Sequence, residues 1–184
     1  MGGSGGWLAV VAGYLFTYWN SKAVEERKAR IDRVNRQLRE FYGPLLACVT
    51  ATKSAYDAMV QQHSPDGTLM AFTRALSEDS QGATASAYRG WMAQVLQPLN
   101  EKAAAIATDN IDLLDGSSIQ PQLLQLVAHV YANRVMLDRW ERGDYTSASV
   151  ISYPNSIVEF ARREFAAMKR RQAELLGAAP RSRL

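Results

Sequence analysis

At 184 residues the chain is long enough for one domain with a substantial core. Its single cysteine, Cys48, excludes an internal disulfide, and His63 and His129 are the only other soft ligands, too few for a zinc site. A formal net charge of +3 is too small for a strong phosphate footprint despite a pI near 9.1, which argues against nucleic acid as the partner.

Glycine and proline are few and clustered, alanine and leucine are abundant, and no period of two persists. The expected fold class is therefore all-α: an N-terminal single-span helix continuing into a bundle of about four to five helices. Residues 1–20 read as a transmembrane anchor. From Gly2 to Trp19 eighteen residues carry no charge, within the roughly 17–25 that cross a bilayer as a helix. Trp7, Tyr14, Tyr18 and Trp19 place rings near both ends of the apolar run, as interfacial belts do, and Ala9 with Gly13 forms a small-residue pair suited to helix association. No basic residue precedes Lys22, so a secretion signal would lack its n-region, and Gly6 stands where a myristoylation motif has Ser or Thr. Lys22, Arg27, Lys28 and Arg30 then hold the C-terminal domain on the cytoplasmic or equivalent side.

Residues 21–43 read as a charged helix joining anchor to domain, with Val24, Ile31, Val34, Leu38 and Phe41 on a narrow apolar stripe. Gly43-Pro44 is expected to break that helix and restart it. The bundle then occupies residues 44–177. A second helix runs from Pro44 to about Gln62, a short one follows around Leu69–Leu76, and residues 77–86 form a loop. Ala87–Leu114 is helical with a kink or restart at Pro98, facing Leu99, Ala103, Ile106 and Ile111 inward. Pro121–Trp140, apolar on most of its circumference, is the expected central helix. After an irregular connector the last helix opens at Ser156-Ile157-Val158-Glu159, which fits a capping box, and closes near Gly177, leaving a basic tail at 178–184. Ile157, Ala161, Phe165, Met168 and Leu175 line its inner face.

Charge is unevenly spread. Residues 22–40 hold seven Lys/Arg against four Asp/Glu and residues 159–184 seven against three, so the middle of the chain is acidic. The two basic ends suit either an anionic membrane surface or pairing with the acidic middle.

REFYGPLLA at 39–47, WMAQVLQPLNEKAAAI at 91–106, the LLQLVAHVYA segment around His129, and Trp140 together resemble an uncharacterised family of helical proteins with an N-terminal membrane segment. The resemblance covers most of residues 30–155 and implies a membrane-tethered helical domain; it brings no activity and no catalytic residue.

Asn100, Glu101 and Lys102 follow Pro98-Leu99, with His129 on another helix. Glu101 and His129 could serve a membrane-tethered enzyme as an acid–base pair. The simpler reading puts Glu101 in a first helical turn created by Pro98, favoured by the helix dipole, with Asn100 and His129 as satisfied polar groups joining helices. Cys48, in the second turn after Pro44, is either an activated thiol or an inert buried one. No nucleophile elbow, P-loop, dinucleotide fingerprint or metal-binding motif occurs, and no cofactor is expected. The sequence thus leads to a membrane-anchored interaction or assembly module, with the lipid bilayer and a protein partner, or a second copy, as its contacts. Its candidate residues are Trp7, Gly13, Tyr14, Tyr18 and Trp19 in the anchor and Asn100, Glu101, His129 and Trp140 in the bundle.

Overall fold

In the computed structural model, residues 5–116, 118–146 and 148–177 are described, with their side chains from residue 13 onward. The expected tail at 178–184 lies outside them, as do the side chains of Trp7 and Ala9. The described chain is all-helical, with no strands. In order it forms α1 (Gly5–Arg36), a π turn (Gln37–Tyr42), α2 (Gly43–His63), α3 (Leu69–Glu78), α4 (Ala83–Trp91), a second π turn (Met92–Leu96), α5 (Gln97–Asp109), a 3₁₀ turn (Ile111–Leu113), α6 (Pro121–Glu141) and α7 (Ile157–Leu175).

The expected break at Gly43-Pro44 does not occur. Tyr42 and Gly43 both keep right-handed helical backbone, and α1 runs through the π turn into α2 as one rod. Pro44 has no N–H to donate, and in a regular α-helix its ring would strike the carbonyl four residues back. The wider turn removes that conflict: the Gly43 N–H donates to the Leu38 carbonyl, five residues back rather than four. Glycine is required there for space rather than for a turn, because a Cβ on Gly43 would lie 2.5 Å from the Leu38 carbonyl oxygen. The same device recurs at Pro98. The Gln97 N–H donates to the Met92 carbonyl, and α4 continues into α5 without restarting. That rod begins at Ala83, so the expected loop at 77–86 shrinks to the turn between Glu78 and Ala83, where the Gln81 N–H donates to Asp79 and Arg89 donates to the Ser80 carbonyl.

α2 and α5 pack against each other at the centre, with α7 and α1 on one side, α6 beyond α5, and α3 and α4 against the far half of α2. Two apolar clusters result. One gathers Leu38, Phe41, Leu45, Val49, Ala103, Leu126 and Phe160, the other Met59, Phe72, Met92, Leu96 and Met136. α6 is an outer helix and not the central one. Its buried residues, Leu123, Leu126, His129, Val130, Asn133 and Met136, follow one face, while Leu124, Tyr131 and Val135 stay 53%, 58% and 57% exposed. Ile111 and Val24 are likewise exposed rather than packed. In α7, Ile157, Ala161 and Met168 are buried as the spacing predicts, together with Phe160, and Phe165 and Leu175 pack at the margin. The capping box does not form, because Ser156 has helical backbone and makes no side-chain cap, and Glu159 pairs with Arg162 instead. Gly177, at φ +75°, ends the helix.

Among the described residues no helix is long and apolar enough to cross a membrane. Trp7–Trp19 spans only about 20 Å at 1.5 Å per residue, and glycine before it and Asn20, Ser21 and Lys22 after it add no apolar length. The structure therefore lends the single-span expectation no support.

The π turns make a paired prediction. Gly43→Ala should lower unfolding stability by about 2 kcal/mol through the forced carbonyl clash. Gly90→Ala, in a helix with nothing within 4 Å of the new Cβ, should raise it by roughly 0.5–1 kcal/mol. Urea midpoints of the two variants check both, and a neutral Gly43→Ala would mean the π turn is not required.

Candidate functional site

Between the two apolar clusters lies a level of buried polar side chains: Thr52 on α2, Gln97 and Asn100 on α5, His129 and Asn133 on α6. Each is bonded. The Thr52 hydroxyl donates to Asn100 Oδ1 at 3.2 Å, and Gln97 Nε2 donates to the Val130 carbonyl at 3.2 Å and to Glu101 Oε1 at 3.1 Å. His129 Nδ1 lies 2.6 Å from the Ile151 carbonyl, which can only accept, so the proton sits on Nδ1. Nε2 is then the acceptor for Asn133 Nδ2 at 2.9 Å. These bonds tie α2 to α5, α5 to α6, and α6 to the connector before α7. Asn133 Oδ1 and Gln97 Oε1 are buried without a partner, so the layer keeps two spare acceptors.

The layer answers the acid–base expectation. Glu101 is not in a first helical turn, since the helix continues through Pro98. It sits at the rim, bonded to Arg134 at 2.7 Å, and that guanidinium holds its carboxyl below the usual range. Both nitrogens of His129 are engaged elsewhere, and burial pulls the imidazole below its ordinary value. Glu101 and His129 are thus held by different partners. Asn100 joins α5 to α2 as the simpler reading expects, His129 ties α6 to the connector rather than to a second helix, and Trp140 packs edge-on against Tyr88 in the second cluster. Cys48 is buried in the first cluster, where burial pushes its thiol up, the opposite of activation. Among the described residues no group of His, Cys, Asp and Glu could hold a metal. His63, which the sequence reading left unused, accepts a hydrogen bond from the Trp91 indole beside a surface hollow of about 280 Å³. That hollow lies apart from the polar layer.

The other candidate is the N-terminal arm. Its root is gripped firmly. Arg27 donates through Nε and Nη2 to the Leu175 carbonyl, capping α7, and Gln172 Nε2 donates to Asn35 Oδ1 at 2.6 Å. Gln37 donates to the Leu113 carbonyl and to Asp115, which also meets Arg33 and Arg171, and Arg36 reaches Asp112. Basic ends and acidic middle therefore do pair, at Asp112 and Asp115. Outward of Arg27 the helix leaves the body: residues 13–30 are all exposed, including Tyr14 and Phe16 at 75% and Trp19 at 61%. Successive residues of an α-helix point 100° apart, so Tyr14, Leu15, Phe16, Tyr18 and Trp19 together cover about 200° of the arm, and Gly13, Thr17 and Asn20, none of them charged, take the rest. From Gly5 to Glu26 it extends about 33 Å at 1.5 Å per residue.

Comparison with protein-family profiles, with curated proteins and with solved structures returns no match. The FYGPL and PLN motifs accordingly carry weight here through their physical roles, the two π-turn prolines and the polar layer.

His129 supplies a pH prediction with a defined sign. Its folded pKa is lowered from 6.5, so the unfolded chain takes up the proton first as pH falls. Stability is complete above about pH 6.5 and declines as pH drops through that value towards the folded one. Glu101, whose carboxyl Arg134 holds low, adds its own loss only below the ordinary carboxylate value of 4.5. Urea midpoints at pH 7.5, 6.5 and 5.5 should fall for the native protein and flatten over this range in His129→Gln; an unchanged slope in the variant would clear His129 of the effect.

Proposed function

We propose that the protein is a membrane-docked helical interaction module, held to the bilayer by its N-terminal arm and presenting its bundle to a protein partner. The observation that carries this reading is the arm's uncharged circumference from Gly13 to Ser21, with large apolar side chains over more than half of it. A protein partner covers one stripe of a helix, whereas a lipid phase covers the whole circumference. Rings at Tyr14, Tyr18 and Trp19 belong to the residue types that settle at the boundary between headgroups and acyl chains. The apolar run is shorter than the roughly 30 Å hydrocarbon core, so the arm enters the bilayer without crossing it. Its basic flank of Lys22, Arg27, Lys28 and Arg30 suits the anionic cytoplasmic or equivalent leaflet.

The partner surface of the bundle is the outer stripe of α6. Leu124, Tyr131 and Val135 recur at spacings of seven and four, so they share one exposed face. The enzyme reading has no comparable support, since Glu101 is committed to Arg134 across α5 and α6 and His129 to the Ile151 carbonyl and Asn133.

Vesicle flotation tests the arm. The full-length protein should float with phosphatidylcholine vesicles, and the double substitution Leu15→Glu/Phe16→Glu should leave it at the bottom of the gradient while its thermal unfolding is unchanged. Carbonate treatment should release the protein from the vesicles. Retention after carbonate would instead favour a full crossing, and flotation of the double variant would contradict the arm as the docking element.

A further inference from the structure

The arm's aromatic run ends at Trp19, and the next charges along the same helix are Lys22, Glu25, Glu26, Arg27, Lys28 and Arg30. Four cations against two anions leave this single helical stretch net positive. It is exposed throughout, and it follows the apolar run and spans the first contact with the body, made by Arg27. The groups are not equivalent. Arg30 shares Glu26 at 3.5 Å, and Arg27 spends its donors on the Leu175 carbonyl. Lys22 lies over the Trp19 ring at 5.7 Å, so its ammonium is held where the aromatic run stops. Lys28 makes no ion pair among the described residues. By rise along the helix, Lys22 and Lys28 stand about 5 and 14 Å from Trp19. With their long side chains, that range matches the depth of a headgroup layer plus about one Debye length.

A second basic group, Lys169, Arg170 and Arg171 on α7, stands lower. α7 runs antiparallel to α1, with Gln172 opposite Asn35 and Leu175 opposite Arg27. The level of Lys169 and Arg170 is therefore near residues 36–38, more than about 25 Å along α1 from Trp19. Arg171 is already paired with Asp115. These cations carry comparable charge outside the reach of a surface at the level of Trp19.

We infer that the root of the arm is an anionic-phospholipid site, in which Lys22 and Lys28 engage lipid headgroups while the aromatic run sits among the acyl chains. The inference rests on the membrane docking proposed above and assigns its lipid class. It also distinguishes a positioned site from general attraction of a basic protein, because only cations at the right level count.

The test is cosedimentation of the full-length protein with vesicles of phosphatidylcholine alone and with 30% phosphatidylserine, at low and high salt. The expected result is roughly tenfold tighter binding to the anionic vesicles, lost at high salt. Lys22→Gln/Lys28→Gln should remove most of that preference and keep the binding to neutral vesicles, while Lys169→Gln/Arg170→Gln should change neither. Equal binding to both vesicle types, or an equal loss from the α7 pair, overturns the headgroup site and leaves the arm in place. Absence of binding to either vesicle overturns the docking itself, and the site with it.

Discussion

Pro44 removes a hydrogen-bond donor from the middle of the longest helix, and the direction of everything before it depends on how that loss is absorbed. A break would have left the N-terminal segment attached through a turn. The π turn instead keeps α1 continuous with α2, and α2 is packed on α5 and α7 at the centre of the bundle. Gly43 admits the wide turn, and Leu38 and Phe41, within it, are buried in the first apolar cluster. The arm is thus an extension of a core helix, and Arg27, Gln37 and Gln172 fasten its root from outside.

The same logic operates one rod away. Pro98 follows the second π turn, and Gln97 and Asn100, on either side of it, carry the α5 share of the polar layer. A level of hydrogen-bonded side chains between two apolar clusters resists sliding of α2, α5 and α6 past one another, because a shift by one turn would place Asn100 or His129 among apolar neighbours without partners. His129 extends the constraint to the connector through the Ile151 carbonyl, so the start of α7, and with it the grip on α1, is set by the layer.

The helices themselves were largely legible, since period and punctuation give α2, α3 and α7 to within a residue or two. The break expected at Gly43-Pro44 and the restart at Pro98 are both absent for one reason: local rules treat a mid-helix proline as a terminator, and the five-residue hydrogen bond that rescues it forms in buried turns around Leu38 and Met92. α6 misled because an apolar count says how much a helix could bury and not how many neighbours it has; Leu124, Tyr131 and Val135 find none. Asn100 and His129 stood out as polar residues in apolar helices. Gln97 and Asn133 carried the same signal, at three and four residues from them on the same helices, and went unused. The arm's aromatic run was visible at once, but its shortfall against a bilayer emerges only when glycine on one side and Asn20 to Lys22 on the other are denied apolar length.

The central claim is that the uncharged arm sits in lipid. Cys48 is the sole cysteine, so in a Cys48→Ala background single cysteines can replace each residue from Gly13 to Arg30 and carry a nitroxide label. Collision with oxygen and with a water-soluble nickel chelate then reads depth in vesicles. The predicted record is high oxygen and low nickel access at every position from Gly13 to Trp19, with no helical period, crossing over between Lys22 and Lys28. A period of 3.6 in that stretch would put one side of the arm against protein or in water, and high nickel access throughout would put all of it in water; either contradicts the account.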